Sequence, residues 1–211
     1  MHGNDATDEA EATLSTQDWL DLARETLIRD GIDAVKVDRL AKAGKVTRGG
    51  FYWRFKSRQD LLDQLLEDWR TTNTAPFLEV LSGTGTPQQR YEALMRLWID
   101  EKDFRPDYDT AVRNWASSSP KVAEAVQTID SLRIDALRRL FAEAGYDPDE
   151  SLVRARITYY HQVGYYTLGI RQSAERRRQL SPIYYRVLTG FTLDEGARSS
   201  SSARAAANAI F

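Results

Sequence analysis

Apolar residues along the chain recur at steps of three and four, the spacing that lines one face of an α-helix. Leu20, Ala23 and Leu27 form one stripe, Leu61, Leu65 and Trp69 a second, and Tyr91, Leu94 and Trp98 a third. Val122, Val126, Ile129, Leu132, Ala136 and Leu140 mark a long amphipathic helix. No stretch alternates at a step of two, as a half-buried strand would. The punctuation agrees. Thr86-Pro87, Ser119-Pro120, Asp147-Pro148 and Ser181-Pro182 each put proline after a good capping residue, where its missing N–H costs nothing. Gln89 and Glu150, three residues after their caps, complete a capping-box pattern, and Ser57 with Asp60 is a weaker version. Gly31, Gly145 and Gly190 stand where helices should stop.

The pattern predicts an all-α chain of about nine helices, near 16–30, 37–43, 47–54, 57–81, 87–103, 107–118, 120–144, 148–172 and 175–190. Pro182 makes the last helix either kinked or a late starter, and Pro76, after the polar Thr71-Thr72-Asn73-Thr74, is a candidate break in the fourth. The first three helices are short and the rest mostly long. That divides the chain into a small head (1–56, with 1–14 flexible), a helical body (57–194) and a Ser/Ala/Arg-rich tail (195–211) read as flexible.

Composition narrows the chemistry. With no cysteine and only two histidines, disulfides, thiolate nucleophiles and Cys-ligated metals are out of reach. No Gly-rich phosphate loop, metal-spaced cluster or Ser/His/Asp arrangement stands out, so no catalytic set, metal or cofactor is expected. The acidic, polar N-terminus lacks the pattern of a signal peptide. The longest uncharged run, Ile157 to Ile170, is 14 residues and contains His161 and Gln162, too short and polar to span a bilayer. The reading is a cytoplasmic protein with no membrane partner. The net charge of −2 hides an uneven distribution: Lys36 to Arg58 holds eight basic residues and one acid, Asp38, a local +7. A basic island on an acidic chain is the footprint of a nucleic-acid module, with a solvated basic face as the bland alternative.

Within that island, a short helix ends near Gly44, Lys45 and Val46 make a turn, and Thr47 caps a second short helix. Leu40, Val46, Phe51 and Phe55 are placed to face a small core, leaving Arg48, Tyr52, Trp53 and Lys56 outward. A helix with small residues at its start can enter the major groove of B-DNA.

The stretch from Ser15 to Leu66 resembles the head of tetracycline-repressor-like (TetR) regulators through Gly31, Leu40-Ala41, Val46-Thr47, Gly49, Tyr52, Phe55, Ser57-Arg58 and Leu61-Leu62. Arg113-Asn114-Trp115-Ala116 and Val163 to Gly169 look more loosely like one subgroup of that family. Two positions depart from its pattern. Gly44 precedes Lys45 where the family has Gly in the turn, so the left-handed residue falls on Lys45 or shifts by one. Lys36 stands where the family caps its second helix with Thr.

The resemblance implies that Thr47, Tyr52 and Lys56 contact phosphates, that Arg48 reads bases and that Trp53 packs on the sugar-phosphate backbone. Lys36 and Lys45 add phosphate-directed charge. Gly49 and Gly50 cost roughly 1 kcal/mol each in helix propensity; close approach to DNA would explain them, and a crowded helix crossing is the alternative. For Tyr52 and Trp53 the alternative is packing on the first helix.

The resemblance also implies a homodimer on a palindromic double-stranded operator. The residues support it: a helix uncharged on every side, as from Ile157 to Ile170, is expected to be buried on every side, one side by its own core and the other by a partner. Gly164 and Gly169 would permit close approach. Val163, Gly164, Ile170, Ile183, Tyr184, Val187 and Leu188 are the dimer candidates. Trp98, Phe104, Trp115, Tyr159, Tyr160, His161, Tyr165 and Tyr166 are candidates to line a cavity for an unidentified small-molecule effector, against the alternative of ordinary core. His161 reads as a buried histidine rather than a metal ligand, the only other being His2. The expected function is a dimeric DNA-binding transcriptional regulator, a repressor released from its operator by the effector. The rival is a helical protein-interaction module without DNA binding.

Overall fold

The computed structural model describes residues 13–191, which form nine α-helices and one 3-10 turn. The helices are α1 (Thr16–Asp30), α2 (Val37–Gly44), α3 (Arg48–Tyr52), α4 (Arg58–Ser82), α5 (Pro87–Asp100), α6 (Pro106–Ala116), α7 (Pro120–Glu143), α8 (Pro148–Thr167) and α9 (Ala174–Thr189), with the 3-10 turn at Ile32–Ala34. The expectations for the N-terminal 1–12 and for the tail lie outside the described residues. No described helix is long and apolar enough to cross a membrane.

Local chemistry accounts for the boundaries. At the start of α1 the Ser15 hydroxyl accepts from the Asp18 N–H and the Asp18 carboxylate accepts from the Ser15 N–H, a closed capping box. Thr86 and Gln89 close a second. Asp147 accepts from the N–H groups of Asp149 and Glu150, while the Glu150 carboxylate turns to Arg154 and leaves that box open. α5 stops at Asp100 because Glu101 adopts a positive φ of 52°, and α8 stops at Thr167 with Gly169 left-handed at 66°. Gly169 therefore ends a helix rather than admitting a neighbouring one.

Neither interior proline interrupts its helix. α9 is capped by Ser173, whose hydroxyl accepts from the Arg176 N–H, so Ser181-Pro182 is mid-helix and not a cap. Pro76 lies within α4, and the polar residues before it make tertiary bonds instead of a break. Asn73 exchanges hydrogen bonds with the backbone of Arg105 at 2.8 and 3.2 Å, and Arg133 donates to the Asn73 carbonyl and the Thr74 hydroxyl at 3.0 Å each.

The chain divides into two compact units. One comprises residues up to Leu78 with Glu101–Arg133; the other comprises Glu79–Asp100 with residues from Ile134 onward. In the first, Trp19, Leu27, Leu40, Phe51 and Phe55 are buried together with Leu61, Leu65 and Trp69 of α4, Tyr108 and Val112 of α6, and Val122 and Ile129 of α7. α1, α2 and α3 alone are too small to close a core, and α4, α6 and α7 complete it. Arg24 clamps the Asp68 carboxylate at 2.8 Å, and Arg58 donates to the carbonyls of Val35 and Ile32, fixing the 3-10 turn to the start of α4. Beneath the apolar layer, Asp109 accepts from Trp69, Arg113 and Arg133. Burial alone would raise the Asp109 carboxyl; the two guanidiniums overcome that and hold it below the usual carboxylate range.

The second unit is cored by aromatic rings. Tyr91 meets Phe141 and Tyr185 at centroid distances of 5.9 and 5.7 Å, and Phe191 packs on Tyr146, Phe141 and Tyr185. α9 packs on both α5 and α8.

Candidate functional site

The first candidate site is the surface formed by α2, the turn and α3. Phe51 anchors it: fully buried, it meets Trp19 edge-on at 5.3 Å and stacks on Phe55 at 5.1 Å. Phe51 and Phe55 point inward, and Arg48, at the first position of α3, Tyr52 and Trp53 are exposed. Tyr52 is 55% exposed with its ring edge-on to Phe51 at 5.2 Å, and Trp53 is 89% exposed. Thr47, Gly49, Lys36, Lys45 and Lys56 are exposed and Gly50 is half-buried. Thr47 occupies the cap position of α3, yet its side chain makes no capping hydrogen bond.

The glycines settle one alternative. A Cβ built on Gly50 would meet nothing within 4 Å, and one on Gly49 would meet only the Thr47 hydroxyl at 3.6 Å. No helix crossing crowds them. Gly44 is the opposite case: its Cβ would come within 2.7 Å of Leu14 and 3.0 Å of Leu22. Both contacts are with the tips of leucine side chains, and the left-handed turn falls on Lys45, at φ 54°, ψ 38°.

The basic island is partly committed to the fold. Arg58 is a staple, as above. Arg39 donates to Asp30 at 2.5 Å, and Arg48 pairs with Asp38 at 2.9 Å with both side chains mostly in solvent. Lys36, Lys45 and Lys56 remain on the outer surface with Tyr52 and Trp53.

The second candidate site is a cleft in the second unit, with about 50 Å³ open to a water-sized sphere inside a mouth whose empty volume, open solvent included, is about 510 Å³. α5 contributes Tyr91, Met95, Trp98 and Ile99; α8 contributes His161, Gln162 and Tyr165; α9 contributes Arg177, Ser181, Tyr184 and Leu188. Of the expected lining, Trp98, His161 and Tyr165 are here. Tyr166 stands beside it, its hydroxyl donating to the Trp98 carbonyl at 2.9 Å. Tyr159 is buried away from the wall, Tyr160 is exposed on the far face of α8, and Phe104 and Trp115 are buried in the first unit. Tyr184 and Leu188, expected at a dimer contact, face the cavity, with the Tyr184 ring 4.8 Å from His161. Burial lowers the His161 pKa and favours its neutral form. Gln162 and Arg177 went unforeseen as wall residues. The available signal was a glutamine beside His161 inside an uncharged helical run.

The third feature is an apolar strip open to solvent. Val153, Ile157 and Tyr160 on α8, and Ile183 and Val187 on α9, are each at least half exposed. Val163 and Gly164 are half-buried, and a Cβ on Gly164 would meet nothing within 4 Å. Ile170 is exposed beyond the end of α8.

Residues 20–65 match the family model for bacterial regulatory proteins of the tetR family. The regulator AcrR of Shigella flexneri is 37% identical over 57 residues, 27% of this chain and 26% of that protein, so the match spans about a quarter of that relative. A TetR/AcrR-family regulator from Thermobifida fusca superposes with a TM-score of 0.60 at 21% identity, over 84% of this chain and 98% of the other. Escherichia coli NemR in its reduced form gives 0.64 at 18% identity over 78% and 92%. FadR of Bacillus subtilis, solved with stearoyl-CoA, gives 0.60 at 15% identity over 83% and 98%. Residues 20–65 carry the sequence of the tetR family of bacterial regulatory proteins, and the described helices share the fold of the TetR/AcrR-family structures.

Proposed function

We propose that this protein is a dimeric transcriptional regulator that binds duplex DNA through the Thr47–Lys56 surface and is released from its operator by a small molecule held in the second unit. The observation that carries DNA binding is the pair Gly49-Gly50. Two glycines in a five-residue helix weaken it, and nothing inside the protein requires them. They leave a bare strip of backbone flanked by Arg48, Tyr52 and Trp53, a shape suited to close approach by a groove wall. Thr47, Tyr52, Lys36, Lys45 and Lys56 are placed to meet phosphates, and Arg48 to pair with guanine O6 and N7 once it leaves Asp38.

The exposed strip on α8 and α9 supports the homodimer. Its residues repeat at i, i+4 and i+7, an apolar stripe that a soluble helix normally covers. Two-fold pairing there would present two heads to a palindrome. The cavity supports the effector: it is mostly apolar, opens to solvent and is edged by a few polar groups. Stearoyl-CoA in the Bacillus subtilis FadR structure is consistent with ligand binding on this fold. Effector binding would favour a conformation in which the two heads lose the half-site spacing of about one helical turn.

Replacing Gly50 separates fold from function. Gly50→Leu has open space for its side chain and a better helix former, so its melting temperature is expected to hold or rise. Its affinity for a duplex from the gene's own upstream region should fall by roughly tenfold or more, the equivalent of about 1.4 kcal/mol. A stable Gly50→Leu protein with wild-type DNA affinity would remove α3 from the interface.

A further inference from the structure

The cavity of the second unit holds two polar atoms that the fold leaves unsatisfied. Gln162 is only 8% exposed, and its amide Nε2 is buried with no hydrogen-bond partner. The Tyr165 hydroxyl, one helical turn further along α8, is in the same condition. Both side chains line the cavity. Such groups are rare in folded proteins because each forfeits its hydration for nothing in return. Leucine at 162 and phenylalanine at 165 would fill the same space without that penalty.

The rest of the wall limits what could satisfy them. Tyr91, Trp98, His161 and Tyr184 present rings, and Met95, Ile99 and Leu188 present apolar surface. Burial pushes the Tyr91 hydroxyl up to about 12, so it stays protonated, and it is engaged with Thr158 at 3.3 Å. No carboxylate lines the cavity to receive a cation. Arg177, the one lining residue with a fixed charge, is already bonded to the Trp98 carbonyl at 2.6 Å and stacked over Tyr165 and Tyr166 at 5.1 and 5.6 Å. It serves as a side of the aromatic box. Burying an ionised group in such a site carries a heavy desolvation cost.

We propose that the cavity takes an uncharged, flat aromatic compound bearing an oxygen acceptor, which the Gln162 amide and the Tyr165 hydroxyl orient. This rests on the reading of the cavity as the effector site and names the chemistry of its ligand. The rings give the ligand its shape, and each buried donor calls for an oxygen acceptor. An acceptor-free analogue would leave both donors unpaired, which is where discrimination is strongest.

Three probes of one shape test this by calorimetry on the full chain: 2-acetylnaphthalene, 2-isopropenylnaphthalene, which carries CH₂ in place of the oxygen, and 2-naphthylmethylammonium. The ketone should bind roughly tenfold more tightly than the hydrocarbon, and the cation weakest of all. Gln162→Leu should erase the ketone's advantage while raising the melting temperature of the ligand-free protein. If that variant fails to fold, Tyr165→Phe carries the same comparison. Equal binding of ketone and hydrocarbon, a preference for the cation, an undiminished ratio in Gln162→Leu, or no binding of any probe at millimolar concentration would each overturn the inference. DNA release distinguishes the two levels. A Gln162-dependent ketone preference that leaves the DNA complex intact upholds the ligand class and removes the effector role. Release of DNA by ketone and hydrocarbon alike upholds the role and removes the ligand class.

Discussion

Arg48 Nε lies 2.9 Å from the carboxylate of Asp38, across the turn that joins α2 to α3. The side chain proposed to read a base is thus paired with an acid on the preceding helix. With 62% and 71% of the two side chains in solvent, the pair is worth less than about 1 kcal/mol and gives way readily to a guanine edge. Asp38 also places a negative charge on the surface proposed to meet phosphates. Asp38→Asn should raise DNA affinity several-fold at low salt, with the gain shrinking as salt rises, and should cost a few tenths of a kcal/mol in stability through the lost charge in the first turn of α2. Anisotropy titrations at two salt concentrations check this; a fall in affinity would assign Asp38 a different role.

Lys45 carries opposing effects on stability and binding. Its left-handed backbone costs about 1 kcal/mol that glycine would not incur. Lys45→Gly is therefore expected to raise the urea midpoint, while the salt dependence of DNA binding weakens by about 0.9 per head in log–log slope as one phosphate contact is lost. A variant that is both less stable and unchanged in slope would contradict both assignments.

The sequence makes most of the helices and the α3 surface legible, because both depend on short-range spacing. Phe51 and Phe55 announce an inward face at i, i+4, and the residues between them must turn out. The long-range polar contacts are not legible in the same way. In α7 the apolar stripe pointed to Leu132, yet Leu132 is 40% exposed and Arg133 is 2% exposed. A 3.6-residue period tolerates either position, and the choice is made by Asp109, twenty-four residues away, which local pattern cannot reveal. Pro76 misled for the same reason. The polar residues before it resemble a loop until Arg105 and Arg133 are seen to satisfy them. In α8 the uncharged run reads as buried on all sides, while its exposed strip and its cavity face separate only once α5 and α9 are placed.

Asp109 makes the first unit acid-sensitive. Its folded carboxyl sits below the unfolded value of about 3.9, so its stabilisation is complete above that value and is lost as pH falls through it toward the folded value. Asp109→Asn leaves Arg133 buried without its anion and should cost about 3–5 kcal/mol near neutral pH. Urea midpoints followed from about pH 6 to about pH 3 should fall more steeply below about pH 4 in the wild type than in the variant. Parallel curves would mean that Asp109 carries no such linkage.

The apolar strip is expected to be the dimer contact. Ile157→Asp combined with Val187→Asp changes two side chains that are 51% and 68% exposed, so the monomer's own core is untouched. Sedimentation should then report a dimer for the wild type and a folded monomer with unchanged helicity for the variant. DNA affinity should drop with it, since one head alone forfeits the second half-site. A variant that remains dimeric would place the contact elsewhere.

The central claim is that the face carrying Gly49 and Gly50 binds duplex DNA as a charged, close-fitting surface. It is tested most directly by the salt dependence of wild-type binding to a labelled duplex from the gene's own upstream region, between about 50 and about 200 mM salt. Lys36, Lys45 and Lys56 on each head of a dimer predict a log–log slope of about −5. A slope near zero, or no binding at the lowest salt, would contradict it.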